Sequence, residues 1–322
     1  MLDGVLIKMD QKQKILAVVG PTASGKSALA LELAKRLDGE IICCDSMQIY
    51  KQMNIGTAKP TSEEMAQLPH HLFDFVSPRE SFSCADYVDL AEKTVDDILS
   101  RGKLPVFCGG TGLYLDRFLN STDFEETEIN EEYRKEMGDY AREHGNEALH
   151  QLLCQVDPES AQSIHPNNVK RVIRALEIFN GTGRKKSELD RESRTKEAKY
   201  EAIQIGLRYV DREKLYERIN LRVDKMLEAG LLDETCNLER VGAFESNLTA
   251  AQAIGYKELL TFIRGEKSYE EAVEDLKRAT RRYSKRQMTW FSSHGKVFWI
   301  DADGKMPGQI ADEAYQIYLN NK

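Results

Sequence analysis

Five short runs along the chain are mostly apolar: KILAVVG (14–20), GEIICCD (39–45), LPVFCGG (104–110), EAIQIGLRY (201–209) and KVFWID (296–301). Runs of this length that lack a polar alternation are what a strand covered on both faces requires. Between the first three runs the apolar positions recur at helical spacing. Leu29, Leu33 and Leu37, for example, form one stripe with Ala30 and Ala34 beside it. Strands alternating with helices predict an α/β fold, a parallel sheet flanked by helices. The alternation stops after GGTGLYLDRFL. From 121 to 191 the pattern is helical and highly charged, and the strand pattern resumes at Glu201. The expected organisation is therefore an α/β core, 1–120 and 192–322, interrupted by an all-helical insertion domain, 121–191. The stretch 211–290 is expected to be helical, with Leu215, Ile219, Val223, Met226 and Leu227 in one stripe and Gly230 as a stop. SRTKEAK (193–199) reads as a polar linker.

The turn between the first strand and the first helix carries chemistry. It reads GPTASGKS, the G-x-x-x-x-G-K-S pattern of a phosphate-binding loop (20–27), in the strand–loop–helix context that the pattern needs. Gly20 and Gly25 let the chain curl so that the backbone N–H groups of Pro21's neighbours Thr22, Ala23 and Ser24 turn inward. The N-terminus of the next helix adds positive potential. Lys26 is placed to reach an outer phosphate, and the Ser27 hydroxyl to sit on Mg²⁺. A nucleotide-hydrolysing enzyme with this loop places an Asp at the end of a later strand. Here that strand ends VFCGGTG, with Gly109, Gly110, Thr111 and Gly112 in its place. The acid at a strand end near the loop is instead Asp45, in IICCDSMQIY. Strand C-termini of a parallel sheet open into one crevice, so Asp45 and Thr111 are expected to face the loop. Asp45 then binds a metal, accepts a proton from a nucleophile, or merely closes a turn.

Charge modifies this picture. The chain has 322 residues and a formal net charge of −8, which argues against a polyanionic partner, but the charge is unevenly placed. Residues 123–147 hold ten acidic and three basic side chains, whereas KRATRRYSKR (277–286) holds six basic ones and no acidic one. KRVIR (170–174) and RKK (184–186) are further basic clusters. Local fields govern binding to nucleic acid more than net charge does; the plainer reading is solvated helix faces. The six cysteines (43, 44, 84, 108, 154 and 236) form no C-x-x-C pair, so neither zinc nor a disulfide framework is indicated. No apolar run approaches a membrane span and the N-terminus lacks a signal-peptide core, so a cytoplasmic protein with no obligate protein partner is expected.

The motifs GPTASGKS (20–27), DSMQIY (45–50), MNIGTAKP (53–60), GGTGLY (109–114), DPESAQSIHPNNVKRVIRALE (157–177), AIGYKE (253–258) and KRQMTWF (285–291), in this order, resemble the tRNA dimethylallyltransferase family. The resemblance spans 15 to about 301 and, with no zinc-finger segment after Trp290, is to the short bacterial form. It implies a P-loop core that holds the diphosphate of dimethylallyl diphosphate, with Mg²⁺, and transfers the allyl group to the exocyclic N6 amine of an adenosine beside the anticodon. By the resemblance Asp45 is the general base, Thr111 contacts the adenine region, and Arg218 helps to hold the diphosphate. Contacts to the tRNA anticodon stem-loop fall on Asp45, Ser46, Met47, Gln48 and Thr111. Further ones fall on Arg134, on Lys170, Arg171, Val172, Ile173 and Arg174, on Gln252, Gly255, Tyr256 and Lys257, and on Lys285, Arg286 and Gln287. Tyr256, Tyr283 and Trp290 are candidates to stack an unstacked base. A P-loop small-molecule kinase, a free-adenylate isopentenyltransferase and a non-catalytic tRNA-binding protein are the competing readings.

Overall fold

The computed structural model describes residues 12–120, 130–195 and 199–322. The N-terminal segment 1–11, the acidic stretch 121–129 and residues 196–198 of the linker lie outside them. The chain opens with β1 (Gln13–Val19), buried over its last five residues, followed by the phosphate loop and α1 (Lys26–Arg36). Then come β2 (Gly39–Cys43), α2 (Ser62–Met65), the two-residue β3 (His70–His71), α3 (Cys84–Ser100), β4 (Leu104–Cys108) and α4 (Gly112–Leu119). Five helices follow: α5 (Glu131–His144), α6 (Asn146–Val156), α7 (Pro158–Ser163), α8 (Val169–Thr182) and α9 (Lys186–Thr195). The chain returns through β5 (Tyr200–Arg208), α10 (Arg212–Glu228), α11 (Leu231–Arg240), α12 (Ala243–Ser246), α13 (Leu248–Ala251) and α14 (Tyr256–Ile263). It ends with the 25-residue α15 (Tyr269–Ser293), β6 (Val297–Asp301) and α16 (Pro307–Asn321).

The six strands form one sheet in the order β3-β2-β4-β1-β5-β6, and every neighbouring pair is parallel. The five apolar runs of the sequence form β1, β2, β4, β5 and β6. β3 escaped detection because two residues cannot carry a pattern. On one face of the sheet Leu16, Val18, Ile41, Val106 and Ile205 pack against Leu29 and Leu33 of α1 and Ala314 and Tyr318 of α16. A second core gathers Ile49, Tyr50 and Met53 with Val223, Leu231, Leu238, Leu259 and Leu276 from α10, α11, α14 and α15. Each fully buried aliphatic side chain contributes about 1.5–3 kcal/mol, so these layers fix the strand ends on which the site is built.

By its internal contacts the chain divides into two compact units, Met1–Leu119 with Lys199–Lys322, and Asn120–Ala198. The second unit has its own core, centred on Leu149, Leu153, Val172, Ala175 and Leu176. It also buries two carboxylates. Asp157 accepts from Ser160 N at 3.1 Å, Ser187 N at 2.9 Å and Ser187 Oγ at 2.6 Å, tying α7 to α9. Glu177 accepts from Asn130 N at 3.0 Å and pairs with Arg134 and Arg174. Burial alone raises the Glu177 pKa, but the two arginines and the N–H overcome it and hold the carboxyl below its ordinary range.

One ion pair in the first unit contributes to the acid sensitivity of the fold. Glu40 in β2 is 4% exposed; it binds Arg101 through both oxygens and shares a hydrogen bond with His71 Nε2 at 2.7 Å. The Arg101 guanidinium, with His71 adding to it and burial opposing, lowers the Glu40 pKa from 4.5 to about 2. The folded chain therefore binds this proton less readily than the unfolded chain. The stabilisation is complete above pH 4.5 and is lost as pH falls toward 2. Glu40→Gln should flatten this limb in a plot of Tm against pH and leave the neutral limb's slope unchanged.

Candidate active site at the phosphate loop

The loop 20–27 leaves β1 through Gly20, at φ 138°, where a Cβ would stand 2.7 Å from the Leu207 carbonyl. Only glycine permits β5 to lie that close. Ala23 and Gly25 also take positive φ, 62° and 96°, which curls the chain into an anion-binding turn at the start of α1. Pro21 O accepts from Ser24 N at 3.3 Å and from Lys26 Nζ at 3.4 Å. The Ser24 hydroxyl is buried without a partner among the described residues, as expected of a donor meant for a phosphate oxygen. Ser27 lies exposed on the first turn of α1, with Cys108 of β4 beside it.

Cations surround this turn. Burial lowers the Lys26 pKa, opposed by Cys108 and Asp45 and reinforced by Arg222. Arg218 donates from Nε to Ala23 O at 3.0 Å and lies over the Tyr209 ring at 5.5 Å. Arg222, one helical turn further along α10, is largely desolvated, which lowers its pKa against the pull of Asp45. The sequence reading missed Arg222, although its i, i+4 spacing from Arg218 signalled a shared face. Cys108 is pushed up to about 11 by burial, against the field of Lys26, and so stays a thiol.

Asp45 follows β2 and opens into the same crevice. Its Oδ1 accepts from Met47 N at 2.9 Å, so it does close a turn. Its other carboxylate oxygen takes no hydrogen bond among the described residues, and this oxygen remains available as a proton acceptor. The turn is held by the segment after β4: Thr111 N donates to Cys44 O at 3.1 Å, and Ser46 N donates to Thr111 Oγ1 at 3.0 Å. The glycines of GGTG serve close packing. A Cβ on Gly109 would stand 1.9 Å from Cys44 O, one on Gly110 2.0 Å from Gln287 Nε2, and one on Gly112 2.1 Å from Trp290 Cδ1.

Several residues expected to meet RNA are placed otherwise. Gln287 is 4% exposed, accepts from Thr22 N at 2.8 Å and donates to Gly110 O at 3.0 Å. It brackets the phosphate loop against the GGTG segment, so its amide serves the fold of the site. Tyr256 is fully buried, with its hydroxyl donating to Glu234 at 2.6 Å; Gly255 is buried beside it. Gln48 spends both amide N–H groups on Thr57 O and Ala58 O. Gln252 and Lys257 are exposed. So are Lys285 and Arg286, the latter with its guanidinium 5.4 Å from the Tyr283 ring centre. The Tyr283 hydroxyl reaches Thr111 and Gln287, and burial, then Asp45, raises its pKa. Trp290 stacks on His294 at 4.3 Å, its edge against Gly112.

In the helical unit, Val172 is a core residue with no exposure and Ile173 packs on that core. Arg134 and Arg174 are both engaged by Glu177, and Arg134 lies 3.6 Å from Glu131 as well. Lys170 and Arg171 are exposed at the start of α8 and carry no ion pair among the described residues.

A family model described as IPP transferase matches residues 48–294. The chain is 52% identical over 289 residues to a tRNA dimethylallyltransferase of Acetivibrio thermocellus, covering 90% of this chain and 92% of that one. It superposes on a crystal structure of the tRNA isopentenylpyrophosphate transferase of Bacillus halodurans with a TM-score of 0.71 and 43% identity, covering 96% of each. A eukaryotic dimethylallyltransferase captured acting on tRNA superposes with a TM-score of 0.80 and 30% identity, over 96% of this chain and 80% of that one.

Proposed function

The chain belongs to the IPP transferase family and is an enzyme of the tRNA dimethylallyltransferase kind, and from that premise we propose how its crevice performs the transfer. The phosphate loop holds the diphosphate of dimethylallyl diphosphate, and Asp45 accepts a proton from the N6 amine of an adenosine beside the anticodon. The carrying observation is a phosphate-loop turn with a buried, unpartnered Ser24 hydroxyl, together with a carboxylate whose second oxygen takes no hydrogen bond among the described residues. In the transfer the C1–O bond breaks and the electron pair leaves with the diphosphate. The amine nitrogen bonds C1 and its proton passes to Asp45. Loop N–H groups, Lys26, Arg218 and Arg222 meet the charge that develops on the leaving oxygen, which is where fixed cations lower a barrier most.

Mg²⁺ fits the donors present. Among the described residues there is no cluster of three His, Cys, Asp or Glu that could hold a metal. The Ser27 hydroxyl together with diphosphate oxygens and waters is the kind of sparse set that Mg²⁺ accepts. Bound there, it would supply further neutralisation of the diphosphate. The labelled test is direct: total tRNA and radiolabelled dimethylallyl diphosphate with Mg²⁺ should give labelled tRNA and free diphosphate. Unlabelled tRNA, with ATP turned over to ADP and its phosphoryl group found on a small-molecule acceptor, would instead favour the kinase reading.

The exposed pairs Lys285 with Arg286 and Lys170 with Arg171 are the proposed contacts to the anticodon stem-loop phosphates. Lys285→Ala/Arg286→Ala and Lys170→Ala/Arg171→Ala should each weaken tRNA binding without changing affinity for dimethylallyl diphosphate. Every phosphate that a variant no longer neutralises should reduce the slope of log affinity against log salt by roughly 0.7–0.9. Slopes equal to wild type in both would take these residues out of the RNA footprint. No helix among the described residues is long and apolar enough to cross a membrane, and the proposed site of action is the cytoplasm, where a tRNA substrate is found.

A further inference from the structure

The strap 54–58, which follows the Asp45 turn, is fastened from a distant helix. Glu234 of α11 accepts from three successive backbone N–H groups: Asn54 N at 2.9 Å, Ile55 N at 2.9 and 3.0 Å, and Gly56 N at 3.0 Å. The Tyr256 hydroxyl donates to the same carboxylate at 2.6 Å. The Tyr256 ring lies against Gly56 so closely that a Cβ there would be 2.5 Å from it. Consecutive N–H groups converging on one anion form a nest; here the chain supplies the anion itself. The strap in turn offers Thr57 O and Ala58 O to the two N–H groups of Gln48, at 2.9 and 3.0 Å. Lys59 closes its far end on Tyr50 O at 2.7 Å and Asp74 at 2.6 Å. Gln48 stands three residues after Asp45 in the same turn.

We propose that Glu234 is a positioning residue for the transfer reaction. It fixes the strap, the strap fixes the Gln48 amide, and the amide sets the turn from which the Asp45 carboxylate faces the crevice. Glu234 touches no reacting atom. The proposal rests on Asp45 as the proton acceptor. Its chemistry needs a carboxylate: in Glu234→Gln an NH₂ group would face a backbone N–H, and one oxygen would remain for three N–H groups and a phenol.

The test is a double-mutant cycle read by single-turnover transfer at saturating tRNA and dimethylallyl diphosphate. Glu234→Gln should slow the step about 10- to 100-fold per folded molecule, the scale of a small misplacement. Affinity for inorganic diphosphate, which the phosphate loop sets, should be unchanged. Gln48→Ala should slow it too, and the double variant should be no slower than the slower single, because both cut one chain of contacts. If the two losses multiply, or if Glu234→Gln melts earlier but transfers at the wild-type rate per folded molecule, the proposal is overturned. Should Glu234→Gln fail to fold, Tyr256→Phe replaces it in the same cycle with the same two outcomes. Asp45→Asn, measured separately, decides the base assignment: a full rate there would remove the base, whereas the cycle judges the coupling of Glu234 to Gln48.

Discussion

Asp45→Asn should bind tRNA about as tightly as wild type and transfer about 10²–10⁴-fold more slowly in a single turnover, the usual contribution of a general base. The substitution isolates the proton. The Asn Oδ1 can still accept from Met47 N, as the Asp45 Oδ1 does at 2.9 Å, so the turn survives. Thr111 continues to hold that turn through Cys44 O and Ser46 N. What disappears is the second oxygen's ability to take a proton as the carbon–nitrogen bond forms. Rapid-quench measurement of labelled tRNA, with tRNA affinity measured alongside, checks both halves. A wild-type single-turnover rate would mean that Asp45 is only the turn residue its hydrogen bond shows.

Lys26→Ala should lower the same rate by about 10²–10³-fold, comparable to the loss of one oriented donor at a developing charge. It should also weaken the binding of inorganic diphosphate, since the charge acts on the bound diphosphate and more strongly on the charge that develops as it leaves. The large effect follows from the surroundings. Burial desolvates Lys26 enough to lower its pKa, and charges removed from water act on neighbours with little screening. Arg218 and Arg222 remain in the variant, so binding is reduced and not abolished. Titration calorimetry with inorganic diphosphate and the rapid-quench rate give the two numbers. Equal diphosphate affinity in variant and wild type would place the diphosphate elsewhere.

The sheet was legible because a strand covered on both faces is mostly apolar, without the alternation of a half-exposed one, and five such runs stood out. Asp45, the proposed proton acceptor, was legible for a related reason: it ends one of them. Motif blocks were less faithful guides to contact. Successive residues on a helix point about 100° apart, so one block serves two faces. In KRQMTWF, Lys285 and Arg286 face outward while Gln287 is buried in the bracket. In KRVIR, Lys170 and Arg171 are exposed and Val172 is core. Glu234 was invisible for another reason. Its backbone partners lie about 180 positions earlier, and a lone Glu on a helix looks like any solvated carboxylate until the strap it holds is seen.

The placement of the helical unit within the chain also orders events during synthesis. β1 pairs in register with β5 from Gln13↔Tyr200 to Val19↔Gly206, so the central strand of the sheet waits for a partner made some 187 residues later. Contacts of such sequence separation close slowly, because the intervening chain must be restricted first. A ribosome that has released β1, β2, α3 and β4 carries a half-sheet whose β1 edge is open, a known hazard for strand-to-strand sticking. The Asn120–Ala198 unit, with its own core, emerges during that interval, and β5 then seals the edge. The Gln287 bracket arrives later still. The nascent chain thus carries its phosphate loop long before anything holds it shut, and it becomes competent for chemistry only when nearly all of it has been made.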